Sequence, residues 1–250
     1  MGKLISVWGT PNSGKTAFSL KLAEALYGLD SRKKPMIMVV LTDVVAPALP
    51  VVFPNCRSED MYSVGDLLAR TSLTVDDVFS YTVPIQGKSN IGVMGYRENE
   101  NSHTYPAYTR EKVTAFFDIL VSHTDYVIVD CMCDPEASLL SETALVESDR
   151  TIWLSTPDLK SMSYTMSQTP HFINRGLIHS RQFRVVNTLT QEPVVSVPRG
   201  DGSMGRIICT LPYSAALSRQ MAEGSLSEDV HDRTYMQAVR SVITQISKGA

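Results

Sequence analysis

Residues 9–16 read GTPNSGKT: a glycine, four residues, then Gly-Lys-Thr. This is the spacing with which a loop cradles phosphate groups. Gly9 and Gly14 permit unusual dihedrals and a close approach of backbone to ligand. The N–H groups of Asn12, Ser13, Gly14, Lys15 and Thr16 can then point at phosphate oxygens, aided by the partial positive charge of a helix that starts near Lys15. Lys15 is placed to reach β- and γ-phosphates, and the Thr16 hydroxyl to bind Mg²⁺. Such a loop needs an acid beside the metal. Asp130 closes the apolar run YVIVD and Asp43 closes MIMVVLTD, so both are expected at strand ends along one edge of a sheet. Lys15, Asp43 and Asp130 are the expected catalytic groups; Thr16, Asp43 and Asp130 are the expected metal ligands. Asp134 reads as a loop aspartate.

The elements that must position these groups are visible as apolar runs. LISVW (4–8), MIMVVL (36–41), IGVMG (91–95), YVIVD (126–130), TIWLS (151–155), RVVN (184–187) and RIICTL (206–211) are rich in β-branched residues and apolar on both faces. Strands of a buried parallel sheet read this way. Between them lie helical patterns: Ala17, Leu20, Ala23 and Leu26 share one face after the loop, and Val113, Phe116, Phe117, Leu120 and Val121 share another. Alternation of strand and helix predicts an α/β fold with helices on both faces of the sheet. Residues 96–110 and 196–205 read as surface loops. No internal repeat or low-complexity linker divides the chain, so residues 1–250 are expected to form one nucleotide-binding domain.

Composition narrows the classes. With 43 % apolar and 20 % charged residues and a net charge of −3, a folded domain is expected and a wholly basic nucleic-acid surface is not. No apolar run approaches the ~20 residues of a membrane span, and the start lacks the apolar segment of a signal peptide, so the expected location is the cytoplasm. Gly2 with Ser6 loosely matches a myristoylation start, but residues 4–8 read as a core strand. The cysteines at 56, 131, 133 and 209 form no C-x-x-C pair, and Cys131 and Cys133 read as packing near a strand end. Residues 235–246 put Met236, Val239, Val242, Ile243 and Ile246 on one helical face. That face reads as a core-packing terminal helix, with a membrane-surface helix as the alternative.

In order along the chain, these segments resemble the MinD/ParA family of P-loop ATPases. The phosphate loop is one anchor. DYVIVDC (125–131) is similar to the family's second acidic segment, and WLSTPDLKSMSYT, from Trp153, to its strand, Pro-containing turn and helix. VVNTL, from Val185, resembles the strand whose asparagine contacts adenine, which falls on Asn187. ICTLPYSAALSRQMAEG (208–224) resembles the Pro-turn beside the base and places Pro212 and Tyr213 there. The pattern VVLTDVVAPALPVVFP is most similar to the CpaE/TadZ branch, linked to pilus and secretion machinery. The resemblance implies a single domain with a mostly parallel, twisted sheet of seven or eight strands. It implies ATP or ADP with Mg²⁺ held by Gly9, Thr10, Pro11, Asn12, Ser13, Gly14, Lys15, Thr16, Ala17, Asn187, Pro212 and Tyr213. It also implies a nucleotide-dependent homodimer that switches between a free form and a form bound to a protein partner of a polar, pilus, secretion or partition complex, a membrane or DNA. ATP rather than GTP follows from Asn187 by resemblance; no N-K-x-D motif is present.

Two positions depart from the family. Many members carry a second lysine early in the loop, where this chain has Thr10; most have a second acid two residues after the first, where this chain has Val45. A threonine brings no charge to the γ-phosphate, and a valine cannot orient water. The expectation is therefore nucleotide binding with slow or impaired hydrolysis, at most a weak or partner-stimulated ATPase. Two alternatives stand beside it: a degenerate scaffold without turnover, and a small-molecule P-loop kinase or ligase using His103, Tyr105 and Arg110 of the 96–110 loop. Arg181, Arg184, Arg199 and Arg206 form a loose candidate group for DNA, and the C-terminal segment carries little positive charge for a membrane.

Overall fold

The computed structural model describes residues 2–30, 32–57, 61–178, 180–191 and 204–248. The chain folds as β1 (Lys3–Gly9), α1 (Lys15–Tyr27), β2 (Ile37–Leu41), α2 (Leu49–Val52), α3 (Val64–Ala69), α4 (Val75–Ser80), β3 (Val83–Ile85), β4 (Lys88–Met94), α5 (Arg110–His123), β5 (Tyr126–Asp130), α6 (Leu139–Glu147), β6 (Arg150–Ser155), α7 (Leu159–Asn174), β7 (Gln182–Asn187), β8 (Arg206–Leu211), α8 (Ala215–Glu223) and α9 (Arg233–Lys248). All seven apolar runs form strands. The eighth, β3, is a three-residue strand joined to β4 by a two-residue turn at Gln86–Gly87, with Gly87 at φ 76°. It escapes a reading by apolar runs because it is short and carries Pro84, which belongs on a sheet edge.

The strands form one sheet in the order β3-β4-β2-β5-β1-β6-β7-β8, parallel throughout except for the β3–β4 pair. This agrees with the expected fold class. Successive side chains of each central strand enter different cores. Ile5 and Val7 of β1, Val39 of β2, Ile128 of β5 and Leu154 of β6 pack under α1, α8 and α9. Leu4 and Trp8, Val40, Val127 and Val129, and Trp153 pack under α5, α6 and α7 on the other face. Strands covered on both faces must be apolar on both, which is why the runs do not alternate.

The terminal helix settles into the first of these layers. Tyr235, Met236, Val239, Val242, Ile243 and Ile246 are all buried, and α9 packs on α1 and β8. Its apolar stripe is thereby used up inside the fold, as the core-packing reading expects. Covered by α9 as well as the sheet, α1 is buried on more than one face; even Lys21 is 1 % exposed, its ammonium bonded to the Leu226 carbonyl and paired with Glu24. Among the described residues no helix is long and apolar enough to cross a membrane.

Candidate nucleotide site

The position of the site follows from the strand order. β1 lies between β5 and β6. Its connection runs through α1 on one face, whereas that of β5 runs through α6 on the other. The carboxyl ends of β1 and β5 therefore open into a crevice, the place where doubly wound sheets bind ligands. A cavity of about 490 Å³ lies there, within the range of small-molecule sites. Its wall contains Pro11 through Ala17, Asp43, Asp130, Asn187, Pro212 and Tyr213. The topology thus gathers side chains from at least five separate stretches of sequence.

The phosphate-type loop is held open by its backbone. Gly9 has φ 142°, and a Cβ there would stand 1.9 Å from the Leu154 carbonyl oxygen. The close approach lets the Thr10 N–H donate to that same oxygen at 3.0 Å, which pins the loop to β6. Asn12 (φ 55°) and Gly14 (φ 82°) both take the left-handed region. Helices α3 to α8 each begin with a side chain that accepts a hydrogen bond from the first turn, and Asp232 does the same for α9. α1 does not: Gly14 precedes it and no side chain caps it. Its first N–H groups and its positive dipole end are left to the cavity, an arrangement suited to an anion. The Lys15 ammonium rests on the Thr10 carbonyl at 3.1 Å, beside the loop it would leave to meet a phosphate.

Asp130 lies opposite. Its parity on β5 matches Ile128, so it faces α1, and the Thr16 hydroxyl donates to its Oδ2 at 2.6 Å. The other oxygen, Oδ1, is buried and has no partner. Burial pushes this carboxyl up to about 6, against the favourable bond from Thr16 and the nearby Lys15 charge, with Asp43 adding to the rise. A buried carboxylate with an idle oxygen beside a threonine hydroxyl suits a hard cation, which takes oxygen ligands and removes the cost of the buried charge. Asp43 contributes differently. Its Oδ1 accepts the N–H groups of Val45 and Ala46 at 2.9 and 2.8 Å and so shapes the turn after β2.

Asn187 is 2 % exposed, and its amide donates to the Ser13 carbonyl at 2.9 Å. It therefore braces the loop. Gly14 is required at this contact, because a Cβ would meet Asn187 Nδ2 at 2.8 Å. Of the residues expected to contact nucleotide, Gly9 and Thr10 are the two outside the cavity wall; they support the loop from behind. Sequence reasoning missed Cys131, Cys133, Thr188, Leu189, Leu217, Met221 and Tyr235, which also line it. Only their nearness to the expected anchors marked them, except Tyr235, which a helical pattern assigns to the core.

No protein-family model and no curated protein matches the sequence. Solved structures do match. MinD, the cell-division ATPase of Pyrococcus furiosus, superposes with a TM-score of 0.74 at 19 % identity, covering 100 % of each chain. MinD of Pyrococcus horikoshii, solved with Mg-ADP, gives 0.72 at 16 % over 100 % of this chain and 99 % of that one. A ParA-family ATPase of Chlorobium tepidum gives 0.72 at 16 % over 99 % of both. This chain has the fold of the MinD/ParA ATPases. On that MinD/ParA fold the two departures have definite surroundings. Thr10 is fully buried, its hydroxyl accepting from Ser161 of α7 at 3.0 Å. Val45 is 74 % exposed.

Among the described residues the other sequence candidates do not converge on a second site. In the 96–110 loop, the buried Glu100 carboxylate accepts from Ser63 (2.6 Å), from the Arg97 N–H and guanidinium (2.8 Å each) and from Tyr105. Arg110 pairs with Glu142, and His103 is exposed. Those groups fasten the loop. Arg184 is buried, the Arg181 guanidinium donates to the Val146 carbonyl, and Arg199 lies outside the described residues, as does most of the 196–205 loop. Cys131 is buried and burial pushes its thiol up, so it packs rather than reacts.

Proposed function

We propose that this chain is a nucleotide-dependent switch: one nucleotide-binding domain over residues 1–250 that holds ATP with Mg²⁺, pairs with a second copy and engages a partner complex in that state. The observation that carries the reading is the buried, unpartnered Oδ1 of Asp130 beside Thr16, facing a helix start that no side chain caps. In this reading the N–H groups of residues 12–16 and the Lys15 ammonium bind the phosphates, Thr16 and Asp130 hold the cation with Asp43 near it, and Asn187, Pro212 and Tyr213 flank the base. Bound Mg²⁺ would supply charge neutralisation at the phosphates.

Turnover is slow in this account. Thr10 spends its hydroxyl on Ser161 and has no charge to offer a γ-phosphate, and Val45 cannot orient water. Exposed apolar groups, Leu189 and Met221 on the cavity wall and Val45 two residues after Asp43, provide contact surface for the second copy. The partner belongs to a polar, pilus, secretion or partition assembly, and the CpaE/TadZ likeness of residues 39–54 favours pilus or secretion machinery. The chain works in the cytoplasm and is carried to pole or membrane by that partner. A second reading, a nucleotide-holding scaffold without any turnover, draws on the same buried Thr10.

The test is calorimetric titration of ATP·Mg²⁺ into wild type and Lys15→Ala. Micromolar binding by wild type, weakened at least tenfold in the variant, is expected. Failure of wild type to bind would remove the nucleotide from the account.

A further inference from the structure

The cavity extends well beyond the phosphate loop. β8 stands three strands from β1, roughly 14 Å across the sheet at about 4.8 Å per strand. The loop and Asp130 therefore mark one end, and Pro212, Tyr213, Leu217 and Tyr235, which follow β8, mark the other. Beside this second end several polar side chains are engaged within the protein. The Asn187 amide donates to Ser13, the Ser214 hydroxyl accepts from the Leu217 N–H at 3.2 Å, and Asp232 accepts from the Tyr235 N–H at 3.0 Å. Tyr235 is buried and yet unengaged. Its side chain lines the cavity, the residue is 1 % exposed, and its hydroxyl is buried without a partner. Buried hydroxyls are rarely left so, because each forfeits its bonds to water.

We propose that the Tyr235 hydroxyl is the hydrogen-bonding group for the nucleobase, a specificity-determining residue supplied by the terminal helix. The inference rests on the nucleotide reading above. A phenol both donates and accepts. A base edge offers ring nitrogens and exocyclic groups of both kinds, and the apolar walls of Pro212, Tyr213 and Leu217 suit its faces. The hydroxyl has no partner within the protein, and a bound base would give it one. This also accounts for a tyrosine, rather than a phenylalanine, at an otherwise apolar position of α9.

Tyr235→Phe removes the hydroxyl and keeps the ring. The full-length wild type and variant are titrated with ATP·Mg²⁺ and with inorganic tripolyphosphate·Mg²⁺, and the thermal unfolding of both empty proteins is recorded. The variant is expected to lose five- to tenfold in affinity for ATP, to bind tripolyphosphate like wild type, and to melt at the same or a higher temperature. Equal ATP affinity in the two proteins overturns the inference, as does an ATP loss matched by an equal loss for tripolyphosphate, which marks a general distortion. A wild type that binds neither ligand overturns the nucleotide reading and this inference with it; a wild type that binds both, with an indistinguishable variant, overturns this one alone.

Discussion

Asp130 makes the site pH-dependent. Its carboxyl titrates near 6 in the folded chain because burial disfavours the charged form, against an ordinary value of 3.8. The folded state thus holds the proton more tightly than the unfolded chain. The resulting penalty is absent below about pH 3.8, grows as pH rises through 6 and is complete above it, on the order of 3 kcal/mol. Asp130→Asn, which removes the charge and keeps the shape, should therefore be more stable than wild type at pH 7 in chemical denaturation, and the gap should close towards pH 4. A gap that is constant with pH would contradict the account. The same variant should bind ATP without any gain from added Mg²⁺. Thr10 permits a second prediction at this scale. Its side chain faces Ser161 in the core and not the cavity, so Thr10→Lys should not restore a second loop lysine; it should lower the melting temperature, because an unpaired buried ammonium is strongly disfavoured. Faster phosphate release by Thr10→Lys would show that position 10 does reach the γ-phosphate.

At the scale of elements, loop and helix start act as one part. Gly14→Ala places a Cβ at φ 82° and 2.8 Å from the Asn187 amide, so it should break the brace to Ser13 and weaken nucleotide binding at least tenfold while the sheet survives. Circular dichroism with a binding titration separates the two effects. The elements differed in how far they could be read from sequence. The central strands are legible because burial on both faces demands unbroken apolar runs. The loop is legible because its glycines and lysine have a fixed spacing. β3 is not, since three residues with a proline carry no period, and α1 is only partly so: its stripe of Ala17, Leu20, Ala23 and Leu26 gives one buried face, whereas α9 covers others and buries Lys21. Likewise the periodicity of α9 marks Met236, Val239 and Ile243 as core, but which of its residues borders a cavity depends on the path of β8 and α8 over it.

For the whole molecule, the buried stripe of α9 bears on the surface this protein uses. With Met236, Val239, Val242, Ile243 and Ile246 inside the fold, the terminal helix has no apolar face to offer a bilayer. The full chain should stay in the supernatant when sedimented with anionic vesicles, with or without ATP; co-sedimentation would mean that α9 leaves the core. The proposed switch resides instead at the mouth of the cavity, whose wall includes the exposed Leu189 and Met221. Mass by light scattering, with phosphate release followed in the same ATP·Mg²⁺ samples, tests this most directly. The account predicts a rise from monomer to dimer mass with little phosphate released, and no rise in Lys15→Ala. Vigorous release, or a mass indifferent to nucleotide, would contradict it.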